Sequence, residues 1–176
     1  MRLNFDDLQY IYRLKNIMRY NSRTKISTES VAEHSFFVAL LALEICDQYQ
    51  LNDELKLQVL IKAILHDMPE IELNDITYDV KERLNLRPIL KQYEDTYFNE
   101  HFRKYSKLMN DCDNELINTV VVYADALSVY QYVEHEISLG NNHTDIYKIK
   151  SDTRTRLEEY RRKLNTLVNK GGQSND

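Results

Sequence analysis

The stretch Ala63-Ile64-Leu65-His66-Asp67-Met68-Pro69-Glu70 is the most informative part of the sequence. An apolar run ends there in an adjacent histidine and aspartate, and a proline follows shortly after. Burying a carboxylate beside an imidazole at the end of an apolar helix is costly unless a counter-charge is present. A divalent metal ion is the strongest local counter-charge, and these ligands leave Co, Mn, Mg, Zn, Ni and Fe open. The stretch therefore indicates a metal site at a helix end.

The composition predicts a single all-α domain. The chain has 176 residues, 43% of them hydrophobic, with only three glycines and two prolines, which favours helices over a turn-rich sheet protein. The net charge of -5 includes no dominant basic stripe, so we expect no long nucleic acid as a partner. Cys46 and Cys112 form no C-x-x-C motif, and the first residues resemble no signal peptide, which predicts a cytoplasmic protein. No apolar run approaches the roughly 20 residues that span a bilayer, so no membrane association is expected.

Two helices are predicted before the opening stretch. Apolar residues at three-to-four spacing predict the first helix from about Asp6 to Met18. The second begins at Ser30, because Ser30-x-x-Glu33 is a capping-box pattern, and this places His34 one turn inside it. We assign Glu33 to capping alone. The loop between the helices has basic side chains and no helical periodicity, so an anion could bind at Arg19, Arg23 or Lys25.

The helix that ends at His66-Asp67 begins at Asn52-Asp53-Glu54, which provides an N-cap and an acidic first turn. Further helices are expected near residues 80–84, from Pro88 through Tyr105, over 114–139 as the longest, and from Thr144 onward. The total is about six to eight helices in one domain, residues 1–170, followed by a disordered tail, residues 171–176. Asp125 lies in the apolar middle of the longest helix.

His34, the His66-Asp67 pair and Asp125 are each weak evidence alone, since a lone histidine is more often a core residue and an aspartate an ion-pair partner. Together they give the order His…His-Asp…Asp on separate helices. The flanking sequence adds detail: Thr28-Glu29-Ser30-Val31-Ala32-Glu33-His34-Ser35, His66-Asp67-x-x-Glu70, Asn74-Asp75, Val80-Lys81 and Ala124-Asp125-Ala126-Leu127. From about Arg19 to Gly140 the chain resembles HD-domain metal-dependent phosphohydrolases, and in particular the YfbR-like 5'-deoxynucleotidases.

The resemblance implies four metal ligands, His34, His66, Asp67 and Asp125. A metal ion lowers the pKa of a bound water, which gives a nucleophile near neutral pH. Glu70 is similar to the family's acidic residue, which handles the water proton and the leaving oxygen, so Glu70 and Asp67 are the catalytic candidates. Arg19 is similar to the phosphate-binding arginine, and a planar cation suits a dianionic phosphate. Only His101 lies between the His-Asp pair and the last aspartate, so one metal ion is expected.

Three positions depart from the family pattern beside the expected nucleoside. Tyr20 stands where the bacterial nucleotidases have a tryptophan, Asn74 where they have a glycine, and Asp79 where they have a proline. Asp75 is still suited to a hydroxyl of the sugar, and Lys81 to a phosphate. Tyr20, Asp75 and Lys81 therefore join Arg19 as substrate-binding candidates.

Three functions remain open. The first is hydrolysis of nucleoside 5'-monophosphates, preferably deoxy, to nucleoside and phosphate. The second is release of triphosphate from deoxynucleoside triphosphates, in which basic residues would bind the longer phosphate chain: Arg23, Lys25, Lys81 and Arg83. The third is a non-catalytic module that binds metal or nucleotide. The resemblance also implies a homodimer or higher homo-oligomer, and the apolar stripe from Ile146 to Leu167 either completes one subunit's core or contacts a second copy.

Overall fold

The computed structural model describes residues 5–172 and confirms the all-α prediction. Its elements are α1 (Phe5–Tyr12), a 3-10 turn (Arg13–Asn16), α2 (Val31–Gln48), α3 (Asp53–Leu65), α4 (Glu70–Leu73), α5 (Tyr78–Arg83), α6 (Arg87–His101), α7 (Arg103–Asp111), α8 (Glu115–Ser138) and α9 (Thr144–Gly172). Across residues 5–172 no β-strand forms, although Met18 and Ser30 make an isolated antiparallel bridge. Nor does any helix in that range have the length and apolarity to cross a membrane.

The main core lies among α2, α3, α8 and α9. Both predicted helix starts are present: Ser30 and Glu33 form the capping box of α2, and the Asn52 side chain accepts a hydrogen bond from the Leu55 N–H. Mostly small and β-branched side chains fill the helix contacts, together with Leu164 of α9: Val38, Ala42, Val59, Ala63, Ile117, Val120 and Ala124. The middle of α8 is thereby held against the beginning of α2 and the end of α3.

A second core supports the chain where α3 ends. Leu65, Met68 and Ile71 are buried against Leu14 and Ile17 and against aromatic side chains of α6 and its C-terminal end, Tyr97, Phe98 and Phe102. Packing on both sides of the turn after α3 fixes the backbone of residues 66–70. The opening stretch of the sequence is therefore held by two cores, one on each side.

Helix boundaries differ from the predictions in the first and sixth helices. The first helix stops at Tyr12 and tightens into the 3-10 turn, after which Ile17 is extended and its carbonyl accepts from the Val31 N–H. The predicted helix through Tyr105 breaks at Phe102, whose φ of -141° is not helical and whose side chain is buried. In both places burial of an apolar side chain outweighs continuation of the helix.

The longest helix is α9, with 29 residues, rather than α8, with 24. Most of the α9 surface is polar, so its apolar periodicity is a weak signal in the sequence. Ile146 and Leu164 are nevertheless buried within the same subunit. The helix continues to Gly172, whereas residues 173–176 of the predicted tail lie outside the described region.

Candidate active site

The four predicted ligands come from two helices and from the turn after a third, and they converge. His34 lies in the first turns of α2, His66 and Asp67 follow α3, and Asp125 lies in the middle of α8. His34 Nε2 is 3.1 Å from Asp125 Oδ1 and 3.5 Å from Asp67 Oδ2, and His66 Nε2 is 3.1 Å from the same Asp67 oxygen. One ligand atom each from His34, His66 and Asp67 all lie within 4.8 Å of one another, a spacing that suits a shared metal ion.

The imidazoles present unsatisfied nitrogen atoms to this cluster. His66 Nδ1 lies 2.7 Å from the Ala63 carbonyl, which can only accept, so Nδ1 carries a proton and Nε2 is the ring nitrogen directed at Asp67 and at a metal ion that would replace its proton. The Nε2 atoms of His34 and His66 are buried and have no partner in hydrogen-bond geometry among the described residues. Buried atoms of this kind are rare without a ligand, so two nitrogens and two carboxylates fit a divalent ion.

Arg19 contacts this cluster from the loop before α2. Its Nη1 atom lies 2.8 Å from Glu29 Oε2 and 2.5 Å from His34 Nδ1. A guanidinium only donates, so His34 Nδ1 accepts here, whereas ligation of a metal through Nε2 needs the proton on Nδ1. Ser128 Oγ, at 3.2 Å, could accept that proton. If His34 binds a metal ion through Nε2, the Arg19 guanidinium must therefore move away from Nδ1. Arg19 already lines the pocket, so its side chain would move into that space.

The carboxylates near the cluster are held in different protonation states. Burial opposes the ionisation of Asp125, but contact with His34 and the charges of His66 and Arg19 lower its pKa to about 2. Burial and the charge of Asp67 raise the pKa of Glu70 to about 9, although Lys81 opposes this shift. Glu70 begins α4, its Oε1 lies 3.6 Å from Lys81 Nζ, and its Oε2 is buried without a partner in the described structure. A protonated Glu70 is a proton donor at neutral pH.

Tyr20 forms one wall of the pocket in a strained conformation. Its φ is +57°, uncommon for a bulky residue, and its ring stacks on Tyr132 with centroids 4.5 Å apart. The Tyr20 N–H donates to Asp75 Oδ2 at 3.0 Å, so these two substrate candidates are linked. Asn74 has φ +58° and ψ 175°, a region that strongly favours glycine, so its strain coincides with the family's glycine position.

One pocket contains the residues that the sequence predicted to bind substrate. Arg19, Tyr20, Asp75 and Lys81 all line it, together with Asp67, Glu70 and Asp125. His101, by contrast, lies 3.5 Å from Glu72 and stacks on Tyr10, so it belongs to a separate aromatic cluster.

The sequence reasoning missed a buried glutamate that holds the loop of Arg19 and Tyr20. Glu136 of α8 is fully buried and accepts hydrogen bonds from the Ile26 and Ser27 N–H groups at 2.8 and 2.7 Å. Asn141 also donates to it at 2.7 Å. These bonds outweigh burial and lower its pKa to about 2. Its only signal in the sequence is a charge on the buried face of a helix.

The arrangement of the helices is similar to that in solved structures of HD-domain phosphohydrolases. An HD-domain phosphohydrolase structure from Listeria innocua has a TM-score of 0.73 at 24% identity, over 90% of this chain and 81% of that one. A cyanophage S-2L HD phosphohydrolase, DatZ, bound to dA and one catalytic Zn²⁺ ion, has a TM-score of 0.64 at 14% identity, over 97% and 98% of the chains. Both likenesses concern the fold.

Sequence comparison defines the family. The model of the family described as 5'-deoxynucleotidase YfbR-like matches residues 7–168. The 5'-deoxynucleotidase of Erwinia tasmaniensis is 28% identical over 146 residues, which cover 76% of this chain and 74% of that protein. The chain belongs to the YfbR-like 5'-deoxynucleotidase family, as its motifs predicted.

Proposed function

We propose that this phosphohydrolase converts nucleoside 5'-monophosphates, preferably deoxy, to nucleoside and orthophosphate with one bound divalent metal ion. The observation that carries the proposal is the convergence of two buried, unpaired histidine nitrogens on two carboxylates. His34, His66, Asp67 and Asp125 would hold the ion. The named activity of the Erwinia tasmaniensis relative and the Zn²⁺ and dA of the cyanophage protein support it.

The bound ion would supply a Lewis acid and lower the pKa of a water near the phosphate. Arg19, freed from His34, would pair with the phosphate oxygens and orient the phosphorus. As the bond between phosphorus and the 5'-oxygen breaks, the Glu70 carboxyl passes its proton to that oxygen. The resulting carboxylate takes a proton from the attacking water, so that Glu70 ends the cycle protonated.

Two of the basic side chains considered above already have partners within the protein, which supports a monophosphate over a triphosphate as the substrate. Arg23 is paired with Asp79 and, at 3.3 Å, with Asp145, so its charge is already neutralised. Lys25 donates to the Arg19 carbonyl at 2.7 Å and to Asn21 Oδ1 at 3.1 Å. Two of the basic residues considered for a longer phosphate chain therefore serve the loop itself.

The sugar would lie between Tyr20 and Asp75. The Asp75 carboxylate, fixed by the Tyr20 N–H, has a second oxygen for a sugar hydroxyl. Stacking on Tyr132 holds the Tyr20 ring in place, and a rigid ring beside the sugar disfavours an added 2'-hydroxyl. These contacts support the preference for deoxynucleotides.

A homo-oligomer is part of the proposal. Phe36, Phe37 and Leu40 of α2 are 59%, 51% and 45% exposed and adjacent on one helix surface, which suits burial against a second copy. Light scattering after gel filtration should give at least twice the chain mass, and Phe37→Ser should reduce it to one chain mass. Free, buried Cys46 and Cys112 support a reducing compartment such as the cytoplasm.

The test uses protein stripped of metal and restored separately with cobalt, manganese, magnesium or zinc. Each sample is incubated with paired ribo- and deoxynucleoside mono- and triphosphates, and the products are identified by mass. The expected products are nucleoside and orthophosphate, formed faster from deoxynucleoside monophosphates. Nucleoside with intact triphosphate would instead make the chain a triphosphohydrolase, and absence of product with every metal would leave a binding module.

A further inference from the structure

The pocket has a wall that the metal and phosphate chemistry does not use. Asp152 and Arg156 of α9 line the same pocket as Asp67 and Asp125, yet α9 contributes none of the proposed metal ligands. Residues four apart on a helix lie on one face, so the two side chains are neighbours there. Among residues 5–172 neither takes part in an ion pair. An acceptor and a donor therefore line the same wall of the pocket, and neither forms an ion pair with the other or with another described residue.

Arg156 is oriented by its own surroundings. Its guanidinium carbon lies 4.1 Å from the centroid of the Tyr78 ring, and its Nη2 donates to the buried Thr153 hydroxyl at 2.9 Å. Its Nε–H is buried and has no acceptor within the described part of the chain. A buried donor without an acceptor costs free energy, so a ligand that supplies an acceptor here is favoured.

Asp152 has the complementary chemistry. A carboxylate only accepts hydrogen bonds, and a guanidinium only donates them. The pair therefore suits a ligand edge with an acceptor next to donors. Guanine has such an edge, O6 beside the N1–H and N2–H groups, whereas adenine has a donor amine in place of O6.

We propose that Asp152 and Arg156 bind the base edge of guanine, so that the pocket prefers deoxyguanosine monophosphate. The inference rests on the proposed function, because it takes the ligand of this pocket to be a nucleotide. Arg156 donates to O6, and Asp152 accepts from N1–H and N2–H. Tyr78 holds the guanidinium in place and thereby acts as a positioning residue.

The test is calorimetric binding to metal-stripped protein in chelator, where turnover does not interfere. The ligands are the deoxy monophosphates of guanosine, adenosine and inosine, and 2-deoxyribose 5-phosphate, which has no base. The guanine nucleotide should bind about tenfold tighter than the adenine one, with inosine between them because it lacks the N2 amine. Arg156→Gln and Asp152→Asn should each weaken guanine nucleotide binding by about tenfold and leave binding of the baseless phosphate unchanged.

Arg154→Gln is the matched control, since Arg154 lies on the same helix, does not line this pocket and has a 75% exposed side chain. It should change no affinity. Equal affinity for the guanine and adenine nucleotides would overturn the inference, as would an equal loss for the baseless phosphate in Arg156→Gln, which would place the guanidinium on the phosphate. If Arg156→Gln does not fold, Asp152→Asn, altered at an exposed side chain, gives the same decision. Selective binding without phosphate release in the metal-restored protein would overturn the proposed function alone.

Discussion

Glu136 and Glu70 are both buried glutamates near the loop of Arg19, but their surroundings are opposite. Glu136 accepts hydrogen bonds from two backbone N–H groups and two side chains, and its pKa falls to about 2. Glu70 has one distant lysine and an unpaired oxygen, and its pKa rises to about 9. Burial opposes ionisation of both carboxyl groups; hydrogen bonds overcome it at Glu136, whereas at Glu70 the nearby Asp67 charge adds to it.

The comparison separates structural from functional polar groups in this molecule. The fully bonded carboxylate holds a loop to α8, and its hydrogen bonds are complete without any ligand. Most of the buried side-chain atoms without a hydrogen-bond partner among the described residues lie at or beside one site, including Glu70 Oε2 and the Nε2 atoms of His34 and His66, whereas those of Tyr97 and Asn118 lie elsewhere. Unsatisfied buried groups cost stability, so their concentration in one place is expected where a ligand completes them.

Asp67→Asn tests the site that has the incompletely hydrogen-bonded groups, and its effect on turnover should be the largest of the effects predicted for these variants. Loss of a ligand charge shared with both histidines should lower turnover of deoxynucleoside monophosphates by at least about a thousandfold. The helical circular dichroism should be unchanged, because the two cores on either side of residues 66–70 remain. Turnover within about tenfold of the unaltered protein would mean that Asp67 is not in the catalytic centre.

A matched control for this variant is Asp53→Asn, an exposed aspartate in the first turn of α3. It removes the same charge at the opposite end of α3 without touching the site. Its turnover should equal that of the unaltered protein.

Glu136→Gln tests the satisfied site, and its main effect should be on stability. The glutamine amide has the same shape as the carboxylate, but its NH2 group would face the N–H groups that now donate to Glu136. We therefore expect a loss of about 3 kcal/mol in the free energy of unfolding at pH 7. Because the folded-state pKa lies below the ordinary value of 4.5, this stabilisation is present above pH 4.5 and disappears as the pH falls toward 2. Urea unfolding across that range should show the two proteins converging at low pH.

Glu134→Gln is the control on the same helix. Glu134 is partly exposed and paired with Lys150 at 2.7 Å, and solvent screens such a pair, so its loss should change the stability much less than the loss of Glu136. Equal losses for the two variants would show that the bonds to the loop contribute nothing beyond an ordinary surface pair.

In metal-stripped protein, Glu70→Gln should raise the free energy of unfolding, whereas Glu136→Gln lowers it. A folded-state pKa of about 9 means that the unfolded chain ionises first, so Glu70 lowers stability increasingly as the pH rises from 4.5 toward 9. The variant should therefore be more stable than the unaltered protein at pH 8, by on the order of 2 kcal/mol, and equal to it at pH 4. A variant that is less stable at pH 8 would show that Glu70 is ionised and well paired.

Asn74→Gly should give the smallest effect, a gain of about 1 kcal/mol from relief of the strained backbone. Gln50→Gly is a comparison at another positive φ, +54°, away from the pocket. A higher melting temperature with unchanged turnover is expected for Asn74→Gly. A lower melting temperature would show that the Asn74 side chain stabilises the turn.

The convergence of the histidine and aspartate side chains could be predicted from the sequence because most of them occur in local motifs at helix starts and ends. The Ser30 capping box places His34, and the end of an apolar run places His66 and Asp67. Glu136 could not be predicted, since its partners Ile26 and Ser27 are about 110 residues away in the chain and a buried glutamate has no local signature. The pocket wall from α9 was missed for a related reason, because that helix is mostly polar and its inward face depends on packing against α8.

The most direct test of the account is phosphate release from deoxynucleoside monophosphates as metal ion is added stepwise to stripped protein. We expect no turnover without metal, and activity that rises linearly and saturates at one ion per chain. Asp67→Asn should bind the ion more weakly and release no phosphate at any point. Turnover that survives complete removal of metal, or that begins only with a second ion per chain, would contradict the assignment of His34, His66, Asp67 and Asp125 as a single catalytic metal centre.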